Sequence, residues 1–444
     1  GGTERCDAER HEGEGQQVTT SIDSPAPTRP ADAPVARPGV QGWLDTLRST
    51  LAKPLTPYYL LLGATALLLA IGLMEVLSAS SVSSYKQFGT SYHWFFRQLT
   101  WVAIGVPVAL VASRMPHRLL RWFAWPSIFL SLVLVIGTQS SLGVTVNGNR
   151  NWLALGPLQV QPAEIAKFSL IIWCAHIYAK KEKLLGDWKH TLVPVVPFVA
   201  LLTGLVVGLG GDLGTGLVLF AIMLGMLWVV GAPARLFLGA VTMVSVVALF
   251  LATTSSERLS RLTNFVDPFR DFEGAGWQSG HGILGMASGG IFGKGIGASQ
   301  QKWGNLPEPH TDFIFAVLGE ELGLVGTLLV LALFLAIAYA GIRISLQARD
   351  PFVRYMAAGI TVWLTVQMMI NIGMVLALLP VIGIPLPLVS YGGSSLVPEL
   401  VSIGLLISFA RHEPAAAREL RDRRRRGRGR SGVSARPARA TRGK

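Results

Sequence analysis

The chain has 444 residues, of which 50% are hydrophobic and only 15% charged. Its apolar residues lie in runs close to the ~20 residues a helix needs to cross about 30 Å of hydrocarbon, which excludes an ordinary soluble domain. The runs do not alternate apolar with polar, which excludes a transmembrane barrel.

The net charge of +13 is concentrated at one end. Residues 412–444 hold twelve Arg and Lys against three Asp and Glu, leaving +4 for the remainder. An Arg-, Gly- and Pro-rich tail of this kind is expected to be disordered and drawn to membrane lipids, with no nucleic-acid role. Residues 1–50, with runs such as Ser24-Pro25-Ala26-Pro27, read as a disordered cytoplasmic leader and not as a cleavable signal peptide. Cys6 and Cys174 lie in environments too different to pair, so no disulfide framework is expected.

In chain order, hydropathy predicts membrane helices over 58–79, 94–113, 119–138, 162–180, 191–209, 213–231, 235–253, 312–342, 354–379 and 395–411. The fold class is therefore all-α, a polytopic membrane protein with about ten helices over 58–411. Ten crossings put both termini on one side. Arg114, Arg118, Arg121, Lys180, Lys181, Lys183, Lys189, Arg235, Arg343, Arg349 and Arg354 fall on that side, against only Lys86 and Arg150 in short loops opposite. The bias makes the termini cytoplasmic.

The large loop over 254–311 is then extracytoplasmic, between helices seven and eight. Ile283, Leu284, Ile291, Phe292, Ile296 and Trp303 are too apolar for a solvated linker, so the loop is expected to fold back on the membrane with short amphipathic helices.

Polar groups at membrane depth are expensive, and several collect at the outer face. Arg150 precedes the fourth helix, and Gln161-Pro162 opens it, proline suiting a first turn that needs no N–H donor. Glu164 and Lys167 follow three residues apart, placed to pair. Asp212 opens the sixth helix, where the favoured reading is a structural cap. Asp312 opens the eighth, after an outer loop carrying Gln278, Gln300, Gln301, Lys302, Glu308 and His310. That position makes Asp312 a candidate general base. Glu320 and Glu321, roughly 12 Å deeper along the helix, read as internal hydrogen-bonding or ion-pair groups.

Between the last two helices, Pro380, Gly383, Pro385, Pro387, Ser390, Gly392 and Gly393 interrupt helical backbone. Such a segment at membrane depth must be buried or line a polar cavity, so it is read as a re-entrant loop beside the site. Gly293-Lys294-Gly295 lacks the Ser or Thr of a phosphate-binding P-loop. His281 and His310 lack zinc-ligand spacing.

From 58 to 411 the chain resembles the SEDS proteins (shape, elongation, division and sporulation), and in particular their FtsW-like division members. The resemblance rests on Asn371-Ile372-Gly373-Met374 with Pro380, Gly383 and Ser390 to Ser395; on Arg150-Asn151-Trp152 with Gln161 to Glu164 and Lys167; on Asp212 to Thr215; and on Leu306-Pro307-Glu308 with His310 to Ala316. The chain departs from the family pattern at Ala377, often Gly, at Gly211, commonly Pro, and at Asn305, usually aromatic.

The resemblance implies a peptidoglycan glycosyltransferase that polymerises lipid II outside the cytoplasmic membrane at the division septum. The implied partners are a class B penicillin-binding transpeptidase and other division membrane proteins. Asp312 falls on the family's essential acidic position and is expected to be the base. Arg150, Lys167 and Lys302 are the expected diphosphate-binding cations, with a divalent cation such as Mg or Mn an open addition. Glu164, Gln278, Glu308, His310 and Ser390 complete the expected substrate-binding set. A flippase for the lipid-linked precursor and a non-catalytic division scaffold are the competing readings.

Overall fold

The computed structural model describes residues 40–422 except 147, 157, 254–264, 266 and 275. Most of the leader, all of the tail from 423 and part of the large loop lie outside the described residues.

One unit is confined to the first 52 residues. Within it, α1 (Val40–Ala52) is a helix in what the sequence predicts as disordered leader. It occupies the proline-free stretch between Pro38 and Pro54, where nothing removes a helical donor.

The second unit is the membrane domain, and helices form at all ten predicted places. They are α2 (Thr56–Phe88), α3 (His93–Ala112), α4 (His117–Gly137), α5 (Pro162–Lys180), α6 (Trp188–Gly208), α7 (Leu213–Val230) and α8 (Ala234–Thr253). After the large loop, which contributes α9 (Trp277–Gly289), come α10 (Ile314–Gln347), α11 (Pro351–Val375) and α12 (Leu396–His412).

Eight of these are long and apolar enough to cross a membrane by length and composition. Helix α5 falls short in hydropathy because it carries Glu164, Lys167 and His176, and it can do so because most of its length is buried among other helices. Helix α2 runs nine residues beyond its predicted end, through Ser80 to Phe88. Ser81 and Ser83 satisfy their hydroxyls on the backbone carbonyls of Ser78 and Ser80, so the polar run continues the helix.

A short antiparallel sheet, absent from the sequence prediction, joins α4 to α5. Its strands β1 (Gly143–Val146), β2 (Asn149–Leu155) and β3 (Leu158–Val160) pair in chain order, with Gly143 opposite Leu153 and Leu153 opposite Val160. Three strands of at most seven residues leave the fold class all-α.

The expected loop helix is present as α9, and it lies directly on α10. Gly282, Gly285 and Gly289 form one helical face, and a Cβ at these positions would meet Phe313, Gln301 and the carbonyl of Gly319 respectively. Small residues at this spacing let two helix backbones approach closely. The loop is thereby fixed at the start of α10, where Asp312 stands.

Candidate active site at the re-entrant loop

Residues 376–395 contain no α-helix. Ala377, Gly383, Leu388 and Gly393 have positive φ values of 52°, 74°, 63° and 54°. The prolines forbid helix and the left-handed positions turn the chain back on itself. Ala377 adopts a conformation that costs an L-residue free energy, which explains why glycine suits that family position. Gly211 likewise has φ of 71°, a value proline cannot adopt.

The loop meets six helices or their leading segments. Asn371 on α11 donates to the carbonyls of Asp312 (2.8 Å) and Ile384 (2.7 Å). Ser390 Oγ donates to Thr311 O at 2.6 Å and accepts from Leu386 N–H at 2.8 Å. Tyr391 N–H donates to His310 O at 2.9 Å, and Gln98 on α3 donates to Ser390 O at 3.1 Å. Gly72 on α2 lies against Val389, and Gly214 on α7 lies against Ile382. From α5, Gln161 N–H donates to Ser394 Oγ at 2.9 Å.

Asp312 is half-buried beside this arrangement. A Cβ on Gly383 would sit 3.3 Å from its Oδ2, so the glycine brings loop backbone to the carboxylate. The three carbonyls of His310, Thr311 and Asp312 are all bound to α11 or the re-entrant loop. The strand of chain carrying Asp312 is therefore held by its backbone.

His310 is buried beside Asp312, its ring 5.3 Å from Trp94 and 5.7 Å from Tyr391. Burial lowers its pKa from 6.5 to about 4, so the ring is neutral at neutral pH. The unfolded chain takes up this proton below about 6.5 while the folded chain resists it, so stability falls as pH drops from there towards 4. The loss is on the order of 3 kcal/mol. His310→Gln is expected to flatten that slope, as thermal melting at pH 7 and pH 4.5 would measure. Arg97, half-buried with its guanidinium 5.6 Å from the Trp94 ring, belongs to the same cluster. Sequence reasoning missed it because an Arg on an apolar helix end reads as an interfacial anchor.

Deeper in the domain, Glu164 and Lys167 form the pair their spacing predicts, at 2.7 Å, with side chains 3% and 1% exposed. Lys167 also donates to Gln367 Oε1 at 3.1 Å and lies 5.6 Å from the Trp363 ring centroid. Gln367 donates to Pro385 O (3.2 Å) and Glu399 Oε1 (3.4 Å), while Glu399 Oε2 accepts from Leu388 N–H at 2.8 Å. A continuous buried network thus runs from the predicted Glu–Lys pair into the re-entrant loop.

Glu399 has no sequence signature beyond a charge inside a helix, yet it holds the loop at left-handed Leu388. Glu399→Ala strands a buried N–H and should destabilise by about 1–3 kcal/mol, whereas Glu399→Gln keeps an acceptor and should retain most stability and turnover. Melting and polymer assays of the two variants distinguish them.

The remaining predicted residues lie on β2, on α9 and in the segment between α9 and α10. Arg150 is exposed on β2 and donates to Ser140 O at 2.9 Å. Lys302 is buried, with Nζ donating to Ser78 Oγ at 3.3 Å and to Gly297 O, and lies 3.7 Å from Glu321. Gln278 is half-buried on the first turn of α9. Glu308, with φ of 49°, accepts from Thr311 Oγ1 through its backbone carbonyl at 3.1 Å.

Asp212 caps α7 as expected, accepting from Thr215 N–H at 2.8 Å, and it also accepts from Asn151 (2.9 Å) and Gln161 (3.1 Å). It ties sheet, α5 and α7 together. Glu320 and Glu321 have the internal role predicted: Glu320 binds Lys294 at 2.8 Å and Ser299 Oγ at 2.6 Å, and Glu321 binds Ser78 Oγ at 2.6 Å and Gly297 N–H at 2.8 Å.

Among the described residues, no group of three or more His, Cys, Asp or Glu converges as a metal cluster. These side chains alone do not fit a protein-enclosed divalent cation, which takes several oxygen ligands.

The Cell cycle protein family of FtsW, RodA and SpoVE matches residues 59–415. The probable peptidoglycan glycosyltransferase FtsW of Mycobacterium tuberculosis is 38% identical over 372 residues, 84% of this chain and 71% of that protein. Stage V sporulation protein E of Bacillus subtilis is 37% identical over 365 residues, 81% of this chain and 98% of that protein. Among solved structures, a chain from a peptidoglycan synthase complex that coordinates polymerization and crosslinking superposes with a TM-score of 0.64. It is 26% identical and the match covers 80% of this chain and 97% of that one. The Rod shape determining protein RodA of Thermus thermophilus gives 0.57 at 26% identity, over 80% and 97% of the two chains. With helices at the ten predicted places among the described residues, its re-entrant loop and this match across most of its length, the chain belongs to the FtsW/RodA/SpoVE family of membrane proteins.

Proposed function

We propose that this protein is a peptidoglycan glycosyltransferase that polymerises lipid II at the outer face of the cytoplasmic membrane during septal wall synthesis. The observation that carries the reading is the Asp312 carboxylate, set at the mouth of the membrane domain by a backbone clamp from α11 and the re-entrant loop. The relatives' name of peptidoglycan glycosyltransferase supports the same activity here.

Joining sugars from a lipid diphosphate requires a base for the acceptor hydroxyl and positive charge for the departing diphosphate. Asp312 supplies the base. The proton leaves the acceptor hydroxyl for its carboxylate as the new glycosidic bond forms and the bond to the diphosphate breaks. Arg150 and Arg97 present guanidinium groups at the outer end, suited to phosphate oxygens. Lys167 and Lys302 act indirectly, since their ammonium groups are engaged with Glu164 and Glu321. His310, Glu308, Gln278 and Ser390 shape the mouth around the sugar, and no step is assigned to a metal.

The working assembly pairs this chain with a class B penicillin-binding transpeptidase, in keeping with the peptidoglycan synthase complex it resembles. Both termini face the cytoplasm, with the leader and Arg-rich tail on that side and the 254–311 loop outside.

The test is reconstitution of the full chain with its transpeptidase in lipid, assayed for glycan strands from lipid II and for transfer of labelled lipid II between leaflets. Strands without transfer are the expected result. Transfer without strands makes the protein a flippase, and neither makes it a scaffold.

A further inference from the structure

Helix α10 is interrupted nine residues after its start, at Gly323, where φ is 68° and ψ −164°. In an unbroken helix the N–H groups of Leu324 and Val325 would donate to the carbonyls of Glu320 and Glu321. Here they donate instead to Gly290 O (2.9 Å) and Ile291 O (3.1 Å) of the large loop, and the loop's own Lys294 and Gly295 N–H groups donate to Glu320 O and Glu321 O at 3.0 Å each. Four loop groups replace the missing helical partners one for one.

Glycine is required on both sides of the exchange. A Cβ on Gly323 would strike Gly293 N and Ile291 O, and a Cβ on Gly293 would strike Glu321 O.

The exchange fixes the depth of the loop. Arg343, towards the other end of α10, belongs to the cytoplasmic set of basic residues, and the ~20 residues from there to Gly323 rise about 30 Å, one hydrocarbon thickness. The break therefore lies at the opposite boundary of the hydrocarbon, where backbone groups need protein partners. Beyond the break, Leu324, Val325, Leu328 and Leu335 form an exposed apolar stripe on a membrane-spanning helix. Lipid covers such a stripe. Ile291, Phe292 and Ile296 are 60%, 82% and 61% exposed, and the bond from Val325 places Ile291 beside its head.

We propose that the tip of the large loop, Ile291, Phe292 and Ile296, is seated among lipid acyl chains in the leaflet on the Asp312 side, as a continuation of the lipid-facing stripe of α10. The polar remainder of the segment faces inward, where Lys294, Ser299 and Lys302 bind Glu320 and Glu321. The tip thus ties the loop that leads into Asp312 to the lipid around α10.

The experiment places an environment-sensitive NBD label at Phe292→Cys in the full chain, with Cys6→Ser and buried Cys174 retained. The labelled protein is reconstituted in phosphatidylethanolamine and phosphatidylglycerol vesicles containing lipid spin-labelled near the headgroup end of the acyl chain. A second label at Glu273→Cys, exposed elsewhere in the loop, is the aqueous reference. The expected result is blue-shifted emission at 292, several-fold stronger quenching by spin-labelled lipid than at 273, and little quenching by iodide.

Iodide quenching equal to the reference, without a lipid effect, overturns the proposal. So does shielding that arises only when another membrane protein is added, which would make the patch a protein-docking surface. Ile296→Cys gives the same readout should the first variant not assemble. None of these outcomes depends on glycosyltransferase activity.

Discussion

Asp312→Asn is expected to reduce glycan polymerisation from lipid II by about 10²–10⁴-fold, the range that a positioned general base contributes. The substitution preserves size and leaves the backbone clamp untouched, because Asn371, Ser390 and Tyr391 all bind carbonyls of the 310–312 segment. Melting temperature and co-purification with the transpeptidase should therefore stay near wild type while strand synthesis, read on gels with labelled lipid II, disappears. Retention of more than about a tenth of the activity would remove Asp312 from the base role. Loss of assembly together with activity would instead identify a structural residue, which the half-exposed carboxylate argues against.

The second large effect concerns the buried ion pair. Lys167→Met should destabilise the membrane domain by about 3–5 kcal/mol, because it leaves a buried charge without its partner. Glu164 then faces low dielectric alone, and Gln367 Oε1 keeps only the Trp363 Nε1–H bond at 2.8 Å of the two donors that orient the side chain towards Pro385 and Glu399. Substituting both members, as in Glu164→Gln with Lys167→Met, removes the uncompensated charge and should recover a large part of that loss. A double-mutant cycle by thermal melting measures the coupling. Additive losses would show that the pair is not the source of the effect. Activity should follow stability in this series, since the network reaches the re-entrant loop through Pro385 and Leu388 and makes no direct contact with substrate.

Both predictions depend on the re-entrant loop as a shared support. Asp312 is held from its backbone side by residues of that loop, and the Lys167 network holds the loop from beneath. A perturbation at buried Glu399 is expected to reach the chain around Asp312 through Leu388 and the re-entrant loop.

The ten helix positions, their all-α character and the charge bias of their connecting loops follow from the sequence because a hydrocarbon slab imposes a length and a polarity on every crossing, and both are local properties of the chain. The Glu164–Lys167 pair and the Asp212 cap were legible for the same reason, since their spacing lies within one helical turn. The failure of 376–395 to form helix was legible in its prolines and glycines.

The small sheet after α4, the extension of α2 and the helix in the leader were not legible, because their hydrogen bonds depend on which partner lies nearby as much as on composition. Only tertiary structure decided which polar residues share a site. It separated Lys302 from the centre by giving it to Glu321, brought in Arg97, and made Glu399 a support for Leu388, 11 residues away in sequence. It also built the hydrogen-bond exchange at Gly323, joining Gly290 to Leu324 across 34 positions of chain. Hydropathy records how much a residue prefers lipid to water, but a buried polar group is settled by the one partner within about 3 Å of it, and that partner is chosen by the packing of distant helices.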